Sequence, residues 1–271
     1  MTVDLKNIDF KKYKRFFAFG CSFTSYGWPT WADIISKEIP DVDYYNFGHC
    51  GGGNLMMSIR IAEANTRYKF TEDDLVMVMW TTMCREDRYI RDNWKMSGNI
   101  FTCGEYDEAY LLKFADVKGY LVRDIGIIAL ATQYLKSLPC TGITLTSVPF
   151  DHQQDPNDKS IPKILEIYKD TVNSVPPSLY ELEMNGSWDN GHEYYNPNHC
   201  KPGETMGDYH PNPLRYFNYL KKLGFPLTNV SMNYAVESLS MLKKTKSIQD
   251  IDVTFNYLKS TQAKAVNKEI L

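Results

Sequence analysis

Two short segments at opposite ends of the chain carry the residue types that acyl-transfer chemistry needs. Gly20-Cys21-Ser22-Phe23-Thr24 directly follows the apolar run Arg15–Phe19, where a glycine turn can present the next side chain at the mouth of a sheet. A serine hydroxyl is nearly inert at neutral pH, so Ser22 as a nucleophile requires a general base within hydrogen-bond reach and a third group to orient that base. Gly207-Asp208-Tyr209-His210-Pro211-Asn212 supplies both within three residues. The proline after His210 presets a helix start and so fixes the direction of the histidine, while Asp208 can hold its imidazole tautomer. The plainer readings are a Ser22 that caps the following helix and an Asp–His pair with structural duties only.

A third segment, Asn46-Phe47-Gly48-His49-Cys50-Gly51-Gly52-Gly53-Asn54, offers a glycine-rich turn whose backbone N–H groups suit the negative oxygen of a tetrahedral intermediate. A phosphate-cradling loop is the rival, but no Lys-Ser/Thr follows the glycines. His192, His199, Cys200 and His210 match no tight metal-ligand spacing, so neither a metal nor another cofactor is expected. Cys21 adjoins Ser22, but neighbouring side chains point in different directions and Ser22 is the favoured nucleophile. Trp94, Tyr106, Tyr110, Tyr194 and Tyr195 are candidates for a sugar-stacking rim, or equally for half-buried loop aromatics.

The elements that must position these groups alternate between strand and helix. Strands are expected at Arg15–Phe19, Val42–Phe47, Asp74–Trp80 and Gly142–Val148, the third a continuous apolar run of the kind buried on both faces. Helices are expected at Trp28–Ile39, Leu55–Arg67, Phe114–Leu138 and Pro211–Leu223. Between Arg85 and Lys113 lies a polar, aromatic-rich insertion placed to overhang a site, and Asn185–Gly207 reads as a long irregular loop. This order predicts a parallel sheet with helices on both faces and its site at the carboxyl ends of the strands.

The 271 residues suffice for one α/β domain, placed at 1–226, with 227–271 a helical extension or partner-binding tail through which the chain can oligomerise. The balance of 30 basic and 33 acidic side chains gives no footprint for nucleic acid. No apolar stretch approaches the ~20 residues of a membrane span, and the polar start predicts a cytoplasmic protein. The six cysteines show no paired spacing, so reduced thiols are expected.

Over about residues 15 to 223 these blocks resemble the SGNH/GDSL hydrolase superfamily, in particular viral and bacterial variants whose first block reads Gly-Cys-Ser-Phe-Thr. The resemblance implies a three-layer α/β/α sandwich with a mainly parallel, flavodoxin-like sheet. It implies a serine esterase that removes acetyl or other acyl groups from a small-molecule or glycan ester, with Ser22, Asp208 and His210 as catalytic triad. The backbone N–H groups of Ser22 and Gly51 would form the oxyanion hole. A viral origin would place the protein in the host-cell cytoplasm or in the virion. The chain departs from the family in two places. Asp-x-x-His is shortened to Asp-x-His, and Gly-x-Asn-Asp after the third strand is replaced by Trp80-Thr81-Thr82-Met83-Cys84-Arg85. Thr82 stands where the oxyanion asparagine would be, Asn54 is an alternative amide donor, and Arg85 can bind an anionic or sugar substituent. The degraded third block also admits a catalytically silent glycan-binding or assembly module, and the same triad can serve a sugar O-acyltransferase.

Overall fold

A computed structural model of the chain describes residues 4–184, 186–187 and 191–260. The elements in order are β1 (Arg15–Gly20), α1 (Trp31–Ser36), β2 (Asp43–Asn46), α2 (Asn54–Tyr68), β3 (Asp74–Trp80), β4 (Arg85–Ile90), β5 (Asn93–Asn99), α3 (Glu108–Phe114), α4 (Val117–Ser137) and β6 (Thr141–Thr146). There follow α5 (Ile161–Ile167), α6 (Lys169–Val172), α7 (Leu179–Glu183), β7 (His192–Tyr194), β8 (Met206–Asp208), α8 (Pro213–Lys222), α9 (Asn229–Leu242) and α10 (Ile248–Ser260).

Four strands form a parallel sheet in the order β2-β1-β3-β6. This is the flavodoxin-like arrangement, in which the chain first steps one way from β1 to β2 and then reverses to β3 and β6. Because parallel crossovers are right-handed, the reversal sends α1 to one face and α2 and α4 to the other. Alternation along β1 shows both faces filled. Phe16 packs edge-on against Trp31 of α1 with centroids 6.4 Å apart. Phe17, on the opposite face, meets Tyr68 of α2 at 5.5 Å. Every residue of β3 is buried, as its unbroken apolar run requires. The α/β/α sandwich expected from the strand–helix alternation is the observed architecture.

Two segments to which no regular element was assigned, the polar insertion and the long irregular loop, carry strands. The insertion after β3 holds an antiparallel β4–β5 hairpin followed by α3. Its two-residue connection, Arg91-Asp92, takes φ of 52° and 60°, the left-handed conformation that such tight hairpins demand. Hairpin turns of this kind are legible in sequence when they read Asn-Gly or Asp-Gly, and Arg-Asp gives no such signal. Within the loop before His210, β7 and β8 pair antiparallel, with His192 opposite Asp208.

The C-terminal segment supplies α9 and α10, both packed on the preceding chain. Glu38, after α1, accepts the Thr228 amide at 2.7 Å and the Ser231 hydroxyl, and so caps the start of α9. Leu242 of α9 and Ile251 and Phe255 of α10 form a second small core with Trp28 and Tyr194. No helix among the described residues is long and apolar enough to cross a membrane.

Candidate active site

β1 ends at Gly20, where a Cβ would lie 1.9 Å from Thr24 Oγ1, so only glycine lets the following turn close. In that turn the Thr24 and Ser25 amides donate to the Cys21 carbonyl at 2.9 and 3.2 Å. Successive side chains diverge: Cys21 enters the main core, while Ser22 lies just beneath the surface at 8% exposure. Neither the amide nor the hydroxyl of Ser22 has a hydrogen-bond partner among the described residues.

The last block folds against this turn. The His210 ring lies 5.1 Å from that of Phe23 and 3.6 Å from that of Tyr26, the latter stacked at 16°. β8 ends on Asp208, whose Oδ1 accepts the His210 amide at 2.8 Å and lies 2.7 Å from His210 Nδ1. Asp208 Oδ2 accepts the Tyr194 hydroxyl at 2.9 Å and also the Tyr26 hydroxyl. Burial alone would raise the Asp208 carboxyl, but the bonds from His210 and Tyr26 outweigh it and hold it below the usual carboxylate range. An ionised carboxylate only accepts, so Nδ1 of His210 carries a proton, and Nε2 is the nitrogen that presents a lone pair when the ring is neutral. The shortened Asp-x-His spacing is thus compatible with an oriented imidazole.

The glycine run after β2 is shaped by its neighbours. Gly51 has φ of 77°, and a Cβ there would approach the Met96 carbonyl to 3.0 Å, so the β4–β5 hairpin lies directly over the loop. The Gly52 amide donates to the His49 carbonyl at 3.0 Å and the Gly53 amide to Asp87 Oδ1 at 2.8 Å. Asp87, on β4, also accepts the Met56 amide at 3.0 Å and caps α2, whose own N-cap residue, Gly53, has no side chain to do so. Of the three glycines, Gly51 alone keeps an unpartnered amide among the described residues.

The third block divides the remaining candidates. Asn54 is fully buried and does not offer its amide to a ligand. Its Oδ1 accepts the Thr81 amide at 3.0 Å, and its Nδ2 donates to the Thr81 carbonyl at 3.2 Å and to Asp124 at 3.1 Å. Both N–H donors are spent on pinning the end of β3, which corrects the expectation that Asn54 replaces the missing asparagine. Thr82 stays partly exposed, and its hydroxyl accepts from Arg85 Nε at 3.1 Å, leaving the hydroxyl proton to donate elsewhere. Arg85 also donates to the Gly52 carbonyl at 2.8 Å, so it ties the third block to the glycine loop.

Three residues important to this geometry were not assigned their roles from sequence. Tyr26 and Asp87 carry no motif. Tyr194, expected on a sugar-stacking rim, is buried at 4% exposure with its hydroxyl on Asp208. Tyr106, just before α3, and Tyr110 on α3 stack at 4.8 Å, and Trp94 on β5 packs partly buried against the main core, so all three are half-buried aromatics and two of them sit on regular elements. His192 Nε2 lies 2.9 Å from the Thr245 hydroxyl, and His199 sits on an exposed turn. No group of three or more His, Cys, Asp or Glu side chains able to hold a metal ion occurs among the described residues. Cavities of 300 and 410 Å³ lie beside β6 and after it, lined by none of the residues assigned above.

No family model and no curated protein matches the sequence. Among solved structures, the chain is similar to a member of the lipolytic G-D-S-L family from Veillonella parvula, with 15% identity and TM-score 0.39 over 77% of this chain and 97% of that one. It is similar to a GDSL-like lipase from Bacteroides thetaiotaomicron, with 16% identity and TM-score 0.37 over 83% and 88%. A catalytic mutant of an acetylxylan esterase from Geobacillus stearothermophilus is similar at 12% identity and TM-score 0.43 over 79% and 96%.

Proposed function

We propose that the chain is a serine esterase that hydrolyses acyl esters, acetyl esters of carbohydrate foremost. The observation that carries this reading is the oriented Asp208–His210 pair folded against the turn that bears Ser22. His210 Nε2 takes the Ser22 proton as the hydroxyl attacks the acyl carbonyl, and Asp208 stabilises the imidazolium that forms. The unpartnered amides of Ser22 and Gly51, with the Thr82 hydroxyl, receive the oxyanion. His210 then protonates the departing alcohol, and a water activated by the same imidazole releases the acid from the acyl-enzyme. Arg85, held between Thr82 and Gly52, borders the donor set and is the group to meet an anionic or sugar substituent. Carbohydrate as the acceptor follows from the resemblance of the first and last blocks to the SGNH/GDSL superfamily.

One observation favours the second reading, a catalytically silent module. The side-chain amide of Asn54, the asparagine that follows the glycine run, is committed to Thr81 and Asp124. Labelling with a fluorophosphonate and turnover of p-nitrophenyl acetate separate the two. Wild type is expected to label and to turn over, and Ser22→Ala to do neither. A wild-type protein that does neither supports the silent module.

A further inference from the structure

The three triad residues do not account for the way Asp208 is held. Its Oδ1 is occupied by His210 through both the ring and the backbone amide, and its Oδ2 receives two phenol hydroxyls from different parts of the chain. Tyr26 comes from the loop after Ser22, and its ring also covers one face of the His210 imidazole. Tyr194 comes from β7, and its ring sits in the small core that Leu242, Ile251 and Phe255 build with Trp28. Trp28 in turn donates its indole N–H to the Pro211 carbonyl, next to His210, at 2.9 Å. The backbone of Tyr195 is hydrogen-bonded to Lys246 and Ile248, so the C-terminal segment grips the strand that carries Tyr194.

We propose that Tyr26 and Tyr194 form a phenol clamp on the catalytic carboxylate, as positioning residues that keep Asp208 ionised and His210 aimed, with α10 and the segment before it as the anchor of the clamp. This rests on the assignment of Asp208 and His210 as acid and base. A carboxylate that accepts two phenol hydroxyls on one oxygen spreads its charge toward them, and it draws less strongly on the imidazolium proton. The phenols suit the task because burial and the adjoining Asp208 charge raise both above the usual tyrosine range, Tyr194 to about 12, so both stay protonated donors. The stacked ring of Tyr26 restrains rotation of the imidazole about its own axis. Among the described residues, the other titratable groups facing this cluster are His192 on β7, with Lys246 and Glu193 beside it, Cys200 near Tyr194, and Tyr216 on α8, with Cys21 and Asp33 beside it. Burial holds His192 below the usual imidazole range and Tyr216 above the usual tyrosine range, so Tyr216 stays neutral, and the His192 resonance is told apart from that of His210 by the His210→Asn assignment.

The test compares Tyr26→Phe, Tyr194→Phe and the double variant with wild type by two readouts: the pH profile of kcat/KM on p-nitrophenyl acetate, and the pH titration of the His210 ring resonance, assigned with His210→Asn. Loss of hydrogen bonds to a charged group is expected to lower kcat by about tenfold in each single variant with KM unchanged. The acid limb and the ring midpoint both move to higher pH, by about one unit in the double variant, because the unclamped carboxylate holds the imidazolium more tightly. Tyr26→Phe keeps the stacked ring and separates the hydroxyl from the packing. Tyr26→Leu removes both and is expected to lower kcat further at the same shift. Folded variants with an unmoved ring midpoint overturn the clamp. A ring midpoint that moves in a wild-type background with no turnover upholds the clamp and overturns only the esterase assignment.

Discussion

The acid–base end of the proposed site and its proposed donor end are built by different means. Around Asp208 and His210, side chains from the loop after β1, from β7, from β8 and from the link between β8 and α8 meet in a set of hydrogen bonds and stacked rings. At the donor end the polar side chains are turned inward. Asn54 pins Thr81, Asp124 pins Asn54, Asp87 caps α2, and the Ser22 and Gly51 amides and the Thr82 hydroxyl proton have no partner among the described residues. Asn54 and Asp87 thus fix the end of β3 and the start of α2, the segments that flank Thr82 and the glycine loop. In the proposed mechanism the weak joint is therefore the donor end, where Thr82 supplies the only hydroxyl among the groups assigned to the oxyanion.

The largest effect should come from breaking the stronger end. His210→Ala is expected to reduce kcat/KM by on the order of 10⁴-fold or more, as removal of a triad base does, with the fold intact by circular dichroism. A loss below about tenfold would mean that the closed network around His210 serves structure only. At the donor end, Thr82→Val keeps the shape and deletes the hydroxyl. With a single side-chain donor at stake, kcat should fall by about 10- to 100-fold at constant KM, and Thr82→Ser should retain most of it. An unchanged Thr82→Val would assign the donor end to backbone amides alone.

The smallest effect concerns the buried tie behind the donor end. Burial pushes Asp124 up to about 6, against the bonds from Arg123 and Asn54 that pull it down. A carboxyl whose folded value lies above its unfolded value of 3.8 contributes stability that is fully present below that pH and is lost as pH rises through about 6. The wild-type melting temperature should therefore drop more between pH 4 and pH 6.5 than that of Asp124→Asn, by a few degrees, for a contribution on the order of 2 kcal/mol. Parallel pH curves for the two proteins would show that Asp124 does not titrate across the fold.

Much of the architecture was legible residue by residue. The apolar run Asp74–Trp80 could only be a strand covered on both faces, and Gly20 after Phe19 marked the turn that presents Ser22. The Pro and Asn after His210 marked the start of α8, where Asn212 accepts the Arg215 amide at 3.1 Å. Those are local signals, set by backbone sterics and by the period of apolar side chains. The β4–β5 hairpin escaped because its turn residues, Arg91 and Asp92, adopt a conformation their side chains do not advertise.

The amino-acid sequence by itself determined the alternation of strands and helices, the sharp turn at Gly20, and the pairing of a histidine with an aspartate two residues away. Only the tertiary structure decided which polar groups are spent and which remain free. Asn54 and Thr82 are both plausible donors on paper, and their roles diverge because the end of β3 claims the asparagine amide while the Thr82 hydroxyl keeps its proton. Tyr26 and Tyr194 meet on one carboxylate oxygen although 168 residues separate them, the difference of their positions. Such a junction has no local signal, because hydrogen bonds and stacking between distant segments arise only once the sheet and the C-terminal helices have brought those segments together.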